Sequence, residues 1–321
     1  MKKRTRATRD SRSDACATRG PGGAWGRWLE GELPRIEVAL RDILRLRRDV
    51  PLSLQRAMRY AVFPGGKRLR PALAVLGHRT CGGRSARIYR VAASLELVHT
   101  FTLIHDDLPC IDNDDYRRGR PSCHRAFGEA LAVLAGDALL NRAYEVLSEE
   151  RDVARRAAAI RSLARAVGGT GVLGGQVDDI AAEGRRVTEE TLRGIHRRKT
   201  ASLISASLRI GAEFAGATRE SLRVLDRFGD ELGLLFQIVD DILNVEGSEK
   251  DLGRPAGSDA RLKKATYPRI VGALAARSQA RRRARAASRT AATFGRMAPV
   301  FEDLVHAVAS RVDGVWPEDE T

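Results

Sequence analysis

Aromatic residues are scarce in this chain of 321 residues, at 5% of positions. No basic–aromatic interleaving is visible, which argues against a stacking platform for single strands, and no nucleic-acid partner is expected. Cysteine is also rare. Cys16, Cys81, Cys110 and Cys123 form no C-x-x-C pair and no dense framework, so a disulfide scaffold is excluded and a reduced cytoplasmic setting is expected. No apolar run approaches the ~20 residues that a membrane span needs. The basic N-terminus lacks the apolar core of a secretory signal. Its Arg, Ser and Thr content faintly resembles a transit peptide, but Asp10 and Asp14 weigh against that. β-Branched runs are short, and no strand pair or hairpin signal stands out.

What is abundant is alanine, leucine and arginine, with 43% apolar residues overall. That composition favours helices and suffices for a real core. The formal charge is +15. Much of it lies in residues 1–24 and in the stretch from Arg277 to Arg289, which has no acid. These are expected to be a solvated tail and a solvated helix face. Residues 1–24 end in Gly20-Pro21-Gly22-Gly23 and are expected to be disordered, leaving residues 25–321 as one all-helical domain. Apolar periodicity predicts helices over about 85–108, 126–148, 151–167, 170–182, 188–213, 218–244 and 297–311, with helices resuming near Thr266. The glycines and proline of 246–260 predict a loop.

Two of these helices end in paired carboxylates. The first motif, from His105 to Asp115, holds Asp106, Asp107, Asp112, Asp114 and Asp115. Five aspartates so close repel one another unless something compensates them. The second holds Asp240 and Asp241, with Asn244 on the face of Asp240 one turn on. Carboxylates at a helix C-terminus oppose the helix dipole, and the repeated arrangement points to a bound cation. Hard ions such as magnesium take oxygen ligands and bridge to phosphates. Asp106 and Asp112 are about 600° apart on an ideal helix, so they can share a side only if the helix is interrupted at Pro109. Basic residues recur elsewhere: Lys67, Arg68 and Arg70 after Gly65-Gly66, then Arg117, Arg118 and Arg120, Lys199, and Lys263-Lys264. Acid clusters for one diphosphate and cations for another describe a site for two diphosphates. Zinc at His105, Cys110, Cys123 and His124 fits no standard spacing.

Five motifs in order resemble the trans-prenyltransferases, the farnesyl and geranylgeranyl diphosphate synthases, from about residue 25 to 275. They are Gly65-Gly66-Lys67-Arg68-x-Arg70-Pro71, Glu96-x-x-His99, the first aspartate motif with Arg117-Arg118-Gly119, Gly174-Gly175-Gln176 with Asp179, and Gly233-x-x-Phe236-Gln237-x-x-Asp240-Asp241. Lys264-x-Thr266-Tyr267-Pro268 follows. The resemblance implies an all-α bundle around a deep cavity, a homodimer, and magnesium-dependent condensation of isopentenyl diphosphate with an allylic diphosphate, with about three ions bound alongside the diphosphate.

By position, the resemblance implies that Asp106, Asp107, Asp112 and Asp240 hold magnesium, with Asp241 and Asn244 nearby. Arg117, Lys199, Arg254 and Lys264 would hold the allylic diphosphate. Lys67, Arg70, His99 and Arg118 would hold isopentenyl diphosphate, and Thr200 and Gln237 would line the reacting carbon. Phe101 and Thr102, beneath Asp106, would set product length, with farnesyl diphosphate expected and geranylgeranyl diphosphate the alternative. Asn244 departs from the family's aspartate, and Arg254 from its lysine. A class I terpene cyclase would not need Lys67, Arg70 and His99. A non-catalytic partner subunit is favoured only by Asn244.

Overall fold

The computed structural model describes residues 22–246 and 264–316. The expected tail up to residue 21, the expected loop from residue 247 onward, Lys263 and Arg254 lie outside the described residues.

Chain segments with an apolar stripe form the outer helices, and segments apolar all round form the inner ones. Helix α1 (Ala24–Ile43) buries Trp25, Leu29, Ile36, Leu40 and Ile43, a single stripe at helical spacing. It is followed by α2 (Leu52–Val62). In contrast, α3 (Leu69–Thr80) and α4 (Ile88–Asp106) bury residues on almost every side, as does α10 (Ser202–Ala215). These three form the interior, and α4 packs against α1, α2, α3, α10 and α6 (Glu129–Ser148). The crossing of α3 and α10 is close because both sides are glycine: Gly77 faces the Leu208 carbonyl, and Gly211 the Ala74 carbonyl. A Cβ at either would collide with backbone.

After α4 come a short α5 (Cys123–Phe127), α6 (Glu129–Ser148), α7 (Val153–Val167), α8 (Val172–Ala182) and α9 (Glu189–His196). Asp152 and Thr188 cap α7 and α9, accepting from the amides of Arg155 at 3.1 Å and Thr191 at 3.2 Å. The helix expected over 188–213 is continuous but widened. Residues Arg197–Ala201 form a π-helical turn between α9 and α10. Such turns are rare and concentrate at functional sites. Gly175 of α8 packs on the Lys199 backbone, and Gly233 of α11 (Arg219–Glu246) packs on Ala201, so two glycines bracket the wide turn. Beyond residue 263 the chain forms α12 (Tyr267–Val271), α13 (Ala273–Ala291) and α14 (Ala298–Ala309). Helix α13 buries a stripe of alanines; Arg282, Arg285 and Arg289 are exposed as its charge run predicts, but Arg277 and Arg283 turn back to Glu246 and Glu231 of α11.

One expectation needs correction. A small hairpin exists: Tyr116–Arg117 pairs antiparallel with Arg120–Pro121. Arg118 and Gly119 at its tip both have positive φ, the backbone that a tight turn requires. Strands of two residues carry no alternation, so periodicity could not reveal them. Among the described residues, no helix is long and apolar enough to cross a membrane.

Candidate active site

Helix α4 ends at Asp106, before Pro109. The chain then folds back, with the Asp112 amide donating to the Asp106 carbonyl at 2.8 Å and the Asp114 amide to the Asp107 carbonyl at 3.2 Å. This return brings Asp112 beside Asp106, as the interruption at Pro109 predicts. Burial raises the pKa of Asp106; Lys199 opposes the rise and neighbouring Asp112 adds to it. Among the described residues, no protein group hydrogen-bonds or ion-pairs with the Asp106 carboxylate. Asp112 accepts from Lys264 Nζ at 2.8 Å.

Three further groups complete this side. Lys199 Nζ donates to Asp179 Oδ2 at 2.5 Å, and Lys264 Nζ lies 3.8 Å from the same oxygen. Asp179 therefore holds at one place two lysines distant in sequence, one from the π-turn and one from the segment before α12. Burial disfavours the charge on Lys199, but Asp179, Asp106 and Asp112 together raise its pKa above the ordinary lysine range. The lysine stays cationic. The Gly-Gly-Gln spacing carried Asp179 into view, but nothing in the sequence disclosed that it joins Lys199 to Lys264.

Asp107 points elsewhere. It is 2% exposed and accepts from Arg117 Nε at 2.9 Å, with a second bond from Arg117 Nη2. Burial moves its pKa up to about 6, even against Arg117. Its carboxylate faces the hairpin rather than the Asp106–Asp112 pair. Arg118, at the hairpin tip, donates to the Gly65 carbonyl and packs against Gly66. The basic turn and the hairpin therefore dock on each other.

Around that turn lies the second group of expected residues. Burial lowers the pKa of Lys67 to about 8, helped by Arg311, with Asp240 opposing. Burial lowers that of Arg70 to about 10, with Glu96 and Asp240 opposing and Arg118 assisting. His99 is kept neutral by burial and by Arg70, Arg118, Arg117 and Arg68 around it, and among the described residues its buried Nδ1 has no hydrogen-bond partner. Lys67, Arg70, His99 and Arg118 are thus brought together.

The second aspartate pair divides as the first does. Asp240 accepts from Arg311 Nη1 at 2.8 Å and lies within electrostatic reach of Lys67 and Arg70. Asp241 turns inward and accepts from Gln237 Nε2 at 2.9 Å and from the Tyr267 amide at 2.9 Å. Thr200 Oγ1 in turn donates to Gln237 Oε1 at 2.6 Å. A chain of polar contacts thus runs from the π-turn through α11 to the start of α12. Asn244 is buried, and among the described residues its Nδ2 has no hydrogen-bond partner. Sequence reasoning missed Arg311, a single arginine two residues past α14 with no pattern around it. Phe101 is buried edge-on to His105 at 5.0 Å between ring centres, and Thr102 donates to the His99 carbonyl.

The donors near Asp106 and Asp112 are oxygens, and among the described residues Asp106 makes no hydrogen bond or ion pair, which suits a hard cation. Among the described residues, no three His, Cys, Asp or Glu side chains converge into a ready metal cage. Magnesium characteristically takes one or two carboxylates and fills its remaining positions with water and substrate phosphate. The residues therefore fit that ion.

The polyprenyl synthetase family model matches residues 51–303. A farnesyl diphosphate synthase from Geobacillus stearothermophilus is 43% identical over 257 residues, 78% of this chain and 86% of its own. The heterodimeric geranylgeranyl pyrophosphate synthase large subunit 1 of Arabidopsis thaliana is 46% identical over 230 residues, 69% of this chain, which spans 62% of that longer protein. Among solved structures, an FPP/GFPP synthase from Zymomonas mobilis superposes with a TM-score of 0.77 at 34% identity, covering 87% of this chain and 96% of its own. The chain belongs to the polyprenyl synthetase family.

Proposed function

We propose that this member of the polyprenyl synthetase family joins isopentenyl diphosphate head-to-tail to an allylic diphosphate, with farnesyl diphosphate as product. The observation that carries the proposal is the division of the charged groups. Asp106 and Asp112 share one place with Lys199 and Lys264, while Lys67, Arg70, His99 and Arg118 gather at another. A two-diphosphate reaction needs two such places, and a single-substrate cyclase does not.

Asp106, Asp112 and Asp240 would hold magnesium, as many as three ions in the loaded enzyme. When bound, the metal supplies positive charge against the departing diphosphate. Lys199 and Lys264 bind the allylic diphosphate and stabilise the charge that grows on it as the C1–O bond breaks. The diphosphate leaves with the bonding electrons. The Arg117 guanidinium is oriented beside that group by Asp107. Lys67, Arg70 and Arg118 bind isopentenyl diphosphate and aim its double bond at the allylic carbon. The double bond's electrons form the new carbon–carbon bond, and the proton released from the neighbouring carbon passes to the departed diphosphate. Thr200 and Gln237 present fixed dipoles near the reacting carbon. The surrounding apolar helices exclude water from the cation. Phe101 closes the floor beneath Asp106, and Arg254 adds a cation to the allylic side.

We place the protein in the cytoplasm as a homodimer. The test supplies purified protein with magnesium, isopentenyl diphosphate and dimethylallyl, geranyl or farnesyl diphosphate in turn. A fifteen-carbon product confirms the proposal, and failure to condense any pair refutes it. The relationship to geranylgeranyl diphosphate synthases supports one second reading, which a twenty-carbon product would establish.

A further inference from the structure

The turn that carries Lys67 and Arg70 has an unusual backbone. Gly65, Gly66 and Arg68 have φ of 101°, 140° and 47°. Glycine adopts such angles freely, but at Arg68 they cost on the order of 1 kcal/mol. The Arg68 side chain supplies what holds it there. Its Nε donates to Glu37 Oε1 at 2.7 Å, its Nη1 to Glu96 Oε1 at 2.7 Å and its Nη2 to the Val62 carbonyl at 3.0 Å. Arg68 is 2% exposed and Glu96 1% exposed. Neither can reach a substrate.

Glu96 has a second relation to the site. It sits on α4 one turn before His99, so the two share a helix face. It is also a counter-charge to the buried Arg70, which otherwise feels the repulsion of Arg118. A cluster of cations waiting for a diphosphate repels itself while the site is empty, and a fixed interior anion offsets that repulsion without competing for the substrate face. A buried ion pair is a poor choice for stability alone, because well-packed apolar residues in its place are often neutral or stabilising.

We infer that Glu96 and Arg68 are positioning residues for isopentenyl diphosphate: Arg68 locks the turn that presents Lys67 and Arg70, and Glu96 anchors Arg68 and balances Arg70. The inference rests on the proposed two-diphosphate reaction and adds to it two residues that never touch the substrate. It requires that losing the pair weaken one substrate selectively.

The test compares the full chain with E96Q and with the double variant R68M/E96L, which replaces the buried pair by apolar residues of similar size. Titration calorimetry measures isopentenyl diphosphate binding directly, and steady-state kinetics measures KM for each substrate. Both variants are expected to bind isopentenyl diphosphate about tenfold more weakly and to raise its KM accordingly, with KM for the allylic diphosphate within about twofold of the parent. The double variant should melt at or above the parent temperature. If it melts normally and keeps the parent's affinity for isopentenyl diphosphate, the pair is core support only and the inference falls. An equal rise in both KM values overturns it as well, since that is the signature of general disorder. Should E96Q alone fail to fold, the double variant decides. A parent protein that binds no isopentenyl diphosphate refutes the proposed function, and this inference with it.

Discussion

Asp106-Asp107 and Asp240-Asp241 both sit near the C-terminal ends of apolar helices, and in both pairs the two members do different work. Successive residues on a helix point about 100° apart, so one carboxylate of each pair can face the site while its neighbour faces the structure. Asp106 meets Asp112 and the lysines, and Asp107 braces Arg117. Asp240 meets Arg311 and the cations of the basic turn, and Asp241 binds Gln237 and the Tyr267 amide. The pairs differ in how their leading members are held. Asp106 has no hydrogen bond or ion pair to the described protein, whereas Asp240 is already satisfied by an arginine. Asp106 therefore feels Lys199, Lys264 and Arg117 only at a distance and keeps both oxygens open to a ligand, while Asp240 shares one oxygen with Arg311 and has the other left for a cation.

The strongest test of that contrast is to remove the leading carboxylate of the first pair. Asp106→Ala is expected to lower kcat about 10³-fold or more, with no loss of melting temperature, because it also removes a buried like charge beside Asp112. A mild kinetic effect would break the comparison at its centre. In the second pair the expectation divides. Asp240→Ala should lower kcat about 10²-fold and, because Asp240 is partly exposed, lower melting less than Asp241→Ala even though it unpairs Arg311. Asp241→Ala leaves the Tyr267 amide and Gln237 without an acceptor, which costs about 1–3 kcal/mol and lowers melting by several degrees. Equal thermal effects of the two would show that the division of labour is wrong.

A smaller effect should appear in the pH profile of the basic turn. The Lys67 pKa is lowered to about 8, so its charge is present below that pH and lost above it. KM for isopentenyl diphosphate should therefore rise above pH 8, by up to about tenfold per unit, and Lys67→Arg should flatten the rise. Product analysis gives the finest distinction. Phe101→Ala, five residues before Asp106 and just deeper than Thr102, should lengthen the product by at least one isoprene unit with little change in turnover; an unchanged product means that another side chain forms the floor.

Long-range partners mark where legibility ended. Helices α4 and α11 were readable because apolar periodicity and length agree over many residues. The fold-back at Pro109 was readable because Asp106 and Asp112 cannot share a side on an unbroken helix. The hairpin at 116–121 was not, since its strands are two residues long and half of its residues are arginine. The structural role of Asp241 depends on the Tyr267 amide, 26 residues away in sequence. Arg311 meets Asp240 across 71 residues, and Lys264 meets Asp112 across 152. A residue's type gives its chemistry, but only the assembled helices decide which of two adjacent carboxylates meets a cation.

The π-turn at Arg197–Ala201 makes the chain's length matter at one place more than at its surface connections. A π-turn accommodates an added residue within a helix that otherwise keeps its hydrogen-bonded course. Deleting one residue there would restore an ordinary helix and rotate everything before it by about 100° relative to α10. Lys199 would swing off Asp179, and the close approach of Gly175 to the Lys199 backbone and of Gly233 to Ala201 would be lost. A change of length in the links between helices leaves the helices' relative rotation alone, but at residues 197–201 the residue count itself sets where Lys199 points.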